Sequence, residues 1–575
     1  MKDEILREIS DAVIRVDGTD PVAELQLDIP PKPELGDFAV GMFPLANQFR
    51  TKPADIAQRV ADAIDTQGGV IASAEAVGPY VNVRIKNNAL FGAVVACDLS
   101  AQPASGKRVM VEYLSPNTNK PLHLGHMRNG VLGMAIANLL KWQGHDVVTA
   151  NLVNDRGVHI CKSMIAWQWF AKGATPQSTG MKGDHFVGDY YVKFARVAKE
   201  DPSIEEEAQA LLKRWEDGDE SVLELWRTMN EWVYAGFAKT YETLGLLFDV
   251  FLYESETYHL GKDIIDSGLD RGIFIKDDSG AVIFELPEEV FGLNKDGSSK
   301  RVTVLRKDGT SVYMTQDIGT ALKKADEYDL DASIYVVGSE QEYHFKCLFA
   351  ILQALGYKWA DNCYHLSYGM VELPDGKMKS REGNVIDADD LAKEMVDSVA
   401  EDLRKKHDNL SDDEIARRAR KIGLGAIKFF LARVNPKQKI RFNRSESLSL
   451  DGVTGVYCQY AYARASGILA KAPQEWKSGA DTSLLGMNTE ERVLAQRIIF
   501  MEDMIDRAAQ EYNPSIAAMA IYDLAKSFNQ WYNKHYAIDE DDVATSKARL
   551  ALVGAIAGVL ENSLRLLGIE CLEEM

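Results

Sequence analysis

Val109-Met110-Val111-Glu112-Tyr113-Leu114-Ser115-Pro116-Asn117-Thr118-Asn119-Lys120-Pro121-Leu122-His123-Leu124-Gly125-His126 is the stretch from which the fold of this chain is read. The apolar run from Val109 to Leu114 reads as a strand, and Leu124 to Gln143 as the helix after it, with Pro121 near the entry and Gly144 just past the end. A helix N-terminus carries unpaired N–H groups and the positive end of the macrodipole, so it suits phosphate. Gly125 lets a nucleotide approach the backbone, while His123 and His126 can donate to charge developing on phosphate oxygens. That combination points to chemistry at the α-phosphate of ATP. Two histidines three residues apart also fit ordinary surface side chains or half of a zinc site, so the neighbouring residues have to decide.

Those neighbours resemble, nearly residue for residue, the first signature of class I aminoacyl-tRNA synthetases, the HIGH motif. Glu112, Ser115-Pro116-Asn117 and Lys120-Pro121 resemble its arginyl-tRNA synthetase form. A second phrase, Gly376-Lys377-Met378-Lys379-Ser380-Arg381-Glu382-Gly383-Asn384, resembles the KMSKS loop that holds the pyrophosphate leaving group. It departs from the motif: Lys379 stands at the serine position and Ser380 at the second lysine. In arginyl-tRNA synthetases that lysine is commonly lost and one just ahead of HIGH compensates, the position of Lys120 here. The resemblance makes His123, His126, Lys120, Lys377 and Lys379 the catalytic set, with Gly125, Ser380 and Arg381 at ATP and the lysines and Arg381 clamping phosphate charge. By itself the second phrase would read as a solvated, Gly-bounded turn.

Specificity for arginine requires buried anions, because the guanidinium keeps its charge and a carboxylate grips its planar fork in bidentate fashion. A pocket carboxylate left unpaired is costly, which disfavours lysine and citrulline. By local phrase the family's pocket maps onto Asp317, one helical turn after Tyr313, and onto Glu254 in Tyr253-Glu254-Ser255. Asn117 and Gln341 match positions that hold the substrate's α-amino group, and Glu112 matches another pocket residue. His344 is expected near ATP, and Gly369-Met370-Val371 resembles the segment whose backbone reads adenine, so Met370 and Val371 join the ATP set. Each of these is otherwise a helix-surface or strand-end residue.

At 575 residues, with 46% hydrophobic and 26% charged side chains, the chain is an ordinary globular sequence long enough for three or four domains. No apolar run is read as approaching membrane-spanning length, and the acid-containing start, Met1 to Glu8, reads as an amphipathic helix, so no membrane partner and a cytoplasmic address are expected. Cys97, Cys161, Cys347, Cys363, Cys458 and Cys571 are scattered without a C-x-x-C pair, so no structural zinc and no disulfide framework are expected. The net charge of −21 disfavours nucleic acid overall, yet the stretch from Arg404 to Arg444 is rich in lysine and arginine. That run fits a solvated helix face or a strip of RNA contact.

The expected fold is multidomain. Residues 1–105 read as an N-terminal α+β domain, with Gly36-Asp37-Phe38-Ala39 and Gly78-Pro79-Tyr80-Val81-Asn82 resembling the family's appended tRNA-binding domain. Residues 106–445 read as an α/β Rossmann-like catalytic domain carrying a helical insertion at about 160–300. Residues 446–575 read as an all-α bundle resembling the anticodon-binding domain, although Val456 stands where the family usually has proline. In that bundle Tyr457 and Tyr460, one turn apart beside Arg464, are either core or a stacking platform for anticodon bases; the resemblance favours tRNA binding.

The implied activity is two in-line steps: arginine's carboxylate attacks the α-phosphorus of ATP, and the terminal adenosine of tRNA(Arg) then attacks the adenylate carbonyl. Mg²⁺ is expected on the substrate phosphates, and a monomer is the family habit. Competing readings are a nucleotidylyltransferase acting on another small acid, an inactive RNA-binding scaffold, and a zinc hydrolase, for which no H-E-x-x-H is present.

Overall fold

The computed structural model describes residues 1–21, 23–373, 376–377, 386–476 and 487–575. The apolar run after Lys107 becomes Arg108–Glu112, the central strand of a five-stranded sheet in the spatial order Cys363–Tyr368, Ala332–Gly338, Arg108–Glu112, Asp146–Val153, Val250–Tyr253. Every neighbouring pair is parallel. The chain winds outward from the centre to Val250–Tyr253, then crosses back to lay Ala332–Gly338 on the other side. In such sheets ligands sit outside the carboxyl ends of the strands, where the winding reverses. The ends of Arg108–Glu112 and Ala332–Gly338 flank that point.

The helix Leu124–Trp142 follows the central strand as expected. It is apolar nearly all round because it is buried nearly all round, between the sheet and the helix Asp412–Ala432. The expected insertion needs correcting. Its helical part, Val158 to Leu244, is packed around Phe186, Trp215 and Trp232, but Val250–Tyr253 belongs to the parallel sheet. Beyond it, Ile275–Lys276, Val282–Glu285 and Arg301–Leu305 form a three-stranded antiparallel sheet with its own core around Phe274, Phe284 and Ile351. These strands are short, the first two joined by the turn Asp277 to Ala281 and the third reached through a longer connection with the helix Glu288–Phe291, so their pairing depends on packing against their surroundings. The run from His365 to Val371 also divides: Cys363–Tyr368 stays in the main sheet, and Val371–Leu373 pairs with Gly376–Lys377 and Ile440–Arg441.

The N-terminal region packs the helices Lys2–Asp17 and Pro53–Ala63 on an antiparallel sheet, ordered Leu27–Asp28, Phe38–Gly41, Tyr80–Ile85, Ile71–Val77. Its Gly-Asp-Phe phrase is a docking device. Buried Asp37 is ion-paired with Arg492 of the helix Thr489–Gln510, Gln496 donates to Asp37 O at 2.7 Å, and Phe38 lies 5.6 Å from Phe500.

After Arg441 the described residues are helical, the long elements being Gly455–Lys471, Thr489–Gln510, Pro514–Tyr532 and Val543–Leu566. Val543–Leu566 corrects the reading of the apolar runs: by length and composition it could cross a bilayer, but half of its most apolar window is buried inside the bundle. The basic run is also largely spent within the protein. Arg418 pairs with Glu414 and Glu574, Lys421 with Glu570, Arg433 with Glu446, and Lys428 donates to Gly568 O. In a chain this acidic, most of those bases find carboxylates before they find RNA.

Candidate active site

Two consecutive non-glycine residues, Leu114 and Ser115, take positive φ of 78° and 43° where the central strand ends. Such conformations cost about 1–2 kcal/mol per residue and persist only where surroundings hold them. Asn129, buried in the following helix, supplies part of that hold. Its Oδ1 accepts from Leu114 N–H at 2.5 Å, while its Nδ2 donates to Val336 O at 2.8 Å and Tyr368 Oη at 3.2 Å. Asn154 Nδ2 donates to Ser115 O at 3.1 Å. The turn is thereby fixed to three strand ends at the winding reversal.

The helix begins with a cap made by the two motif histidines. His123 is the N-cap, and its Nδ1 accepts from Gly125 N–H at 3.1 Å; His126 Nδ1 accepts from His123 N–H at 3.1 Å. Their rings lie 3.9 Å apart. A ring nitrogen that accepts from a backbone N–H carries no proton, so in each neutral imidazole the proton sits on Nε2. Burial, reinforced by Lys120, pulls His123 down to about 3, and burial with His123 and Lys120 holds His126 well below the ordinary range. Both rings are therefore neutral Nε2–H donors at physiological pH. A Cβ on Gly125 would fall 2.9 Å from His123 Cε1, so glycine is required for the His123 ring to fold back. Lys120 is itself lowered by burial.

The descending flank of the second motif is joined to the first. Leu124 N–H donates to Ile386 O and Ala388 N–H to Leu122 O, each at 3.0 Å. Lys377 contributes backbone to the strand Gly376–Lys377, while Lys379, Ser380 and Arg381 lie outside the described residues. Met370 is 44% exposed between strands, whereas Val371 is buried and forms the paired strand after it.

A second cluster adjoins this one through the Asn117–Asn154 bridge. Next to Asn154, buried Asp155 accepts from Ser255 N–H at 2.9 Å, Ser255 Oγ at 2.7 Å and Tyr234 Oη at 2.8 Å. That holds the first turn of the helix Glu254–Thr257. Glu254 is raised to about 7, by burial first, with Asp155 and Asp317 adding to the shift and Arg156 opposing it. Asp317, one turn into Tyr313–Tyr328, has its Oδ2 2.5 Å from His344 Nε2. Tyr313 opens the same helix and is 76% exposed. Asn117 is exposed in the segment after Arg108–Glu112, and Gln341 is exposed in the 3-10 turn Ser339–Gln341 after Ala332–Gly338. Glu112, also matched to the pocket, has a buried carboxylate paired with buried Lys324, beneath the Tyr335 ring.

Sequence reading missed Lys324, Asn129 and Asp155. Lys324 sits on the buried face of its helix, where a lysine calls for a partner; Asn129 and Asp155 carried no separate signal. Among the described residues, the trio Asp184, His185 and Asp389 has metal-ligand spacing, but Lys182 Nζ already lies 2.5 Å from Asp389 and 3.1 Å from Asp184.

In the helical region Tyr460 and Arg464 line a cavity of about 850 Å³ with Tyr532, Tyr536 and Met575. The Arg464 guanidinium lies 4.7 Å from the Tyr460 ring centre and 4.6 Å from that of Tyr532. Tyr457 is half-buried 5.5 Å from Tyr522, outside that lining.

Known proteins share this arrangement. The profile described as tRNA synthetases class I (R), catalytic domain, matches residues 92–442; the DALR anticodon binding domain matches 458–575, and the arginyl tRNA synthetase N terminal domain matches 2–85. An arginine–tRNA ligase of Flavobacterium psychrophilum is 41% identical, over 94% of either chain. That of Treponema denticola is 42% identical, over 96% of this chain and 95% of its own. The solved Thermus thermophilus arginyl-tRNA synthetase superposes with a TM-score of 0.86 over the whole of both chains, at 26% identity. With its neutral imidazole pair at the winding reversal, the chain belongs to the arginyl-tRNA synthetases of class I.

Proposed function

We propose that this chain charges tRNA(Arg) with L-arginine at the expense of ATP, and that the histidine-capped helix start is where the α-phosphate reacts. The observation that carries the reading is the pair of neutral Nε2–H donors at the helix start, on a chain whose Glu254 and Asp317 carboxylates lie close enough to repel each other. Attack by arginine's carboxylate builds negative charge on the α-phosphate oxygens. His123 and His126 donate to that charge, and Lys120 adds a nearby cation from a partly dehydrated position, where its field is less screened. Lys377, Lys379 and Arg381 draw off the pyrophosphate charge, with Ser380 beside them. Mg²⁺ travels on the substrate phosphates, neutralising charge that the protein does not reach.

Glu254, Asp317 and Tyr313 receive the guanidinium side, while Asn117 and Gln341 hold the α-amino end. No covalent intermediate with the protein is needed, because positioning and charge stabilisation suffice for both steps. Met370 and Val371 present backbone to adenine, with His344 between the ATP and arginine sites. Tyr460 and Arg464, with Tyr457 behind them, face the anticodon. The chain works as a cytoplasmic monomer without a membrane partner and without structural zinc.

Arginine-dependent ATP–pyrophosphate exchange, measured with and without tRNA, together with filter-bound aminoacylation by each amino acid, tests the proposal. Arginine alone should be charged. Charging with any other amino acid, or rapid exchange needing neither arginine nor RNA, overturns it; the latter is the nucleotidylyltransferase outcome.

A further inference from the structure

Arg128 lies two residues beyond His126 on the same helix and is completely buried. Among the described residues no carboxylate pairs with it; its guanidinium spends its protons on backbone carbonyls. Nη1 donates to Gly369 O, and Nη2 donates to Pro436 O at 3.1 Å and reaches Asn435 O at 3.5 Å. Its Nε has no partner among the described residues either. Burial draws it down to about 10, so it remains a cation at neutral pH. Leaving a buried charge without a counter-charge is costly, and a well-packed apolar side chain would serve stability better.

The carbonyls it holds identify what that cost accomplishes. Gly369 is gripped at both ends: its N–H donates to Pro436 O at 2.9 Å, and its carbonyl faces Arg128. A Cβ on Gly369 would lie 2.7 Å from Gln438 C and O, so this backbone is pressed directly against the segment before Ile440. Met370 O accepts from Ile440 N–H at 3.2 Å. Gly369 and Met370 bridge the main sheet and the small sheet, and the strand pairing there is interrupted. A rigid five-donor fork can fix three carbonyls in one geometry, which a single ammonium cannot do.

We infer that Arg128 is a positioning residue for ATP: it locks the Gly369–Met370 backbone to the helix that carries His123 and His126, fixing the distance between the adenine and α-phosphate subsites. The inference rests on the reading of Gly369-Met370-Val371 as the adenine-binding segment. One rigid element then sets both ends of the nucleotide, and a small displacement of either end is expensive in rate.

The test is steady-state aminoacylation by full-length Arg128→Lys, Arg128→Gln and Gly369→Ala proteins, with KM measured separately for ATP, arginine and tRNA, and with GTP tried in place of ATP. Arg128→Lys keeps the charge but loses the fork, so KM for ATP should rise about tenfold. KM for arginine and for tRNA should stay within about twofold, ATP should lose ground to GTP, and Arg128→Gln should behave likewise. A parallel rise in all three KM values, or no rise in that for ATP, overturns the proposal. So does failure of both Arg128 variants to fold while Gly369→Ala folds, because Arg128 is then structural. Gly369→Ala separates the two layers: if it leaves KM for ATP untouched, the adenine reading falls; if it raises that KM while the Arg128 variants do not, only this inference falls.

Discussion

Replacing His126 separates two things the ring does at once. Its Nδ1 caps the helix by accepting from His123 N–H at 3.1 Å, and its Nε2–H is left free to donate to the substrate. His126→Ala removes both. Loss of a cap acceptor costs about 0.5–2 kcal/mol of stability, and loss of one donor to a developing oxyanion costs about 2.7–4 kcal/mol, or 10²–10³ in rate. Glutamine is the usual partner at this position of a capping box. His126→Gln should therefore recover most of the stability, with an amide N–H in place of the imidazole. The assay is single-turnover adenylate formation alongside thermal unfolding. His126→Ala should be slower by at least about 10². Because His123 sits at about 3 and burial holds His126 well below the ordinary histidine range, the wild-type rate at saturating arginine should stay flat from pH 6 to 8. An imidazolium donor would instead lose activity as pH rises through about 6.5. A His126→Ala rate within about twofold of wild type, or such a falling limb, refutes the neutral-donor mechanism.

Three further outcomes are expected. Glu254 at about 7 binds a cationic substrate only when ionised, so KM for arginine should fall up to about tenfold between pH 6 and 8, and Glu254→Gln should abolish that dependence; a pH-independent wild-type KM removes Glu254 from the pocket. Asp317→Asn should raise KM for arginine about tenfold or more while leaving KM for ATP nearly unchanged; equal effects on both would deny it a role in specificity. Lys324→Met strands the buried Glu112 carboxylate and should cost about 3–5 kcal/mol by denaturant titration, most of it returned by adding Glu112→Leu; a silent single variant would mean the pair is not buried in solution.

Much of the site was legible because its residues are contiguous. The strand, the phosphate-facing helix start and both histidines fall within Val109 to His126, and local chemistry joins a strand to a glycine-containing helix entry without knowledge of the rest. The arginine pocket was legible only through resemblance. Tyr313 and Asp317 share a helix face, but nothing local ties them to Glu254, about sixty residues earlier. Strands at Val250–Tyr253 and Ile275–Lys276 escaped reading because they are short, and because a strand's stability lies in partners distant in sequence. The basic run from Arg404 to Arg444 stayed undecided for the opposite reason: composition records how many charges there are, not which carboxylates they meet.

By itself, the order of residues determined a parallel sheet wound from Arg108–Glu112, a helix entry suited to phosphate, and a helical C-terminal region. These follow from periodicity and turn chemistry, which act over a few residues. Tertiary structure alone decided the tautomers and neutrality of His123 and His126, the commitment of Glu112 to Lys324, and the isolation of Arg128 from any carboxylate among the described residues. Protonation and charge pairing depend on how much water is excluded and on which groups approach within a few ångströms, and folding brings those groups together from anywhere along the chain.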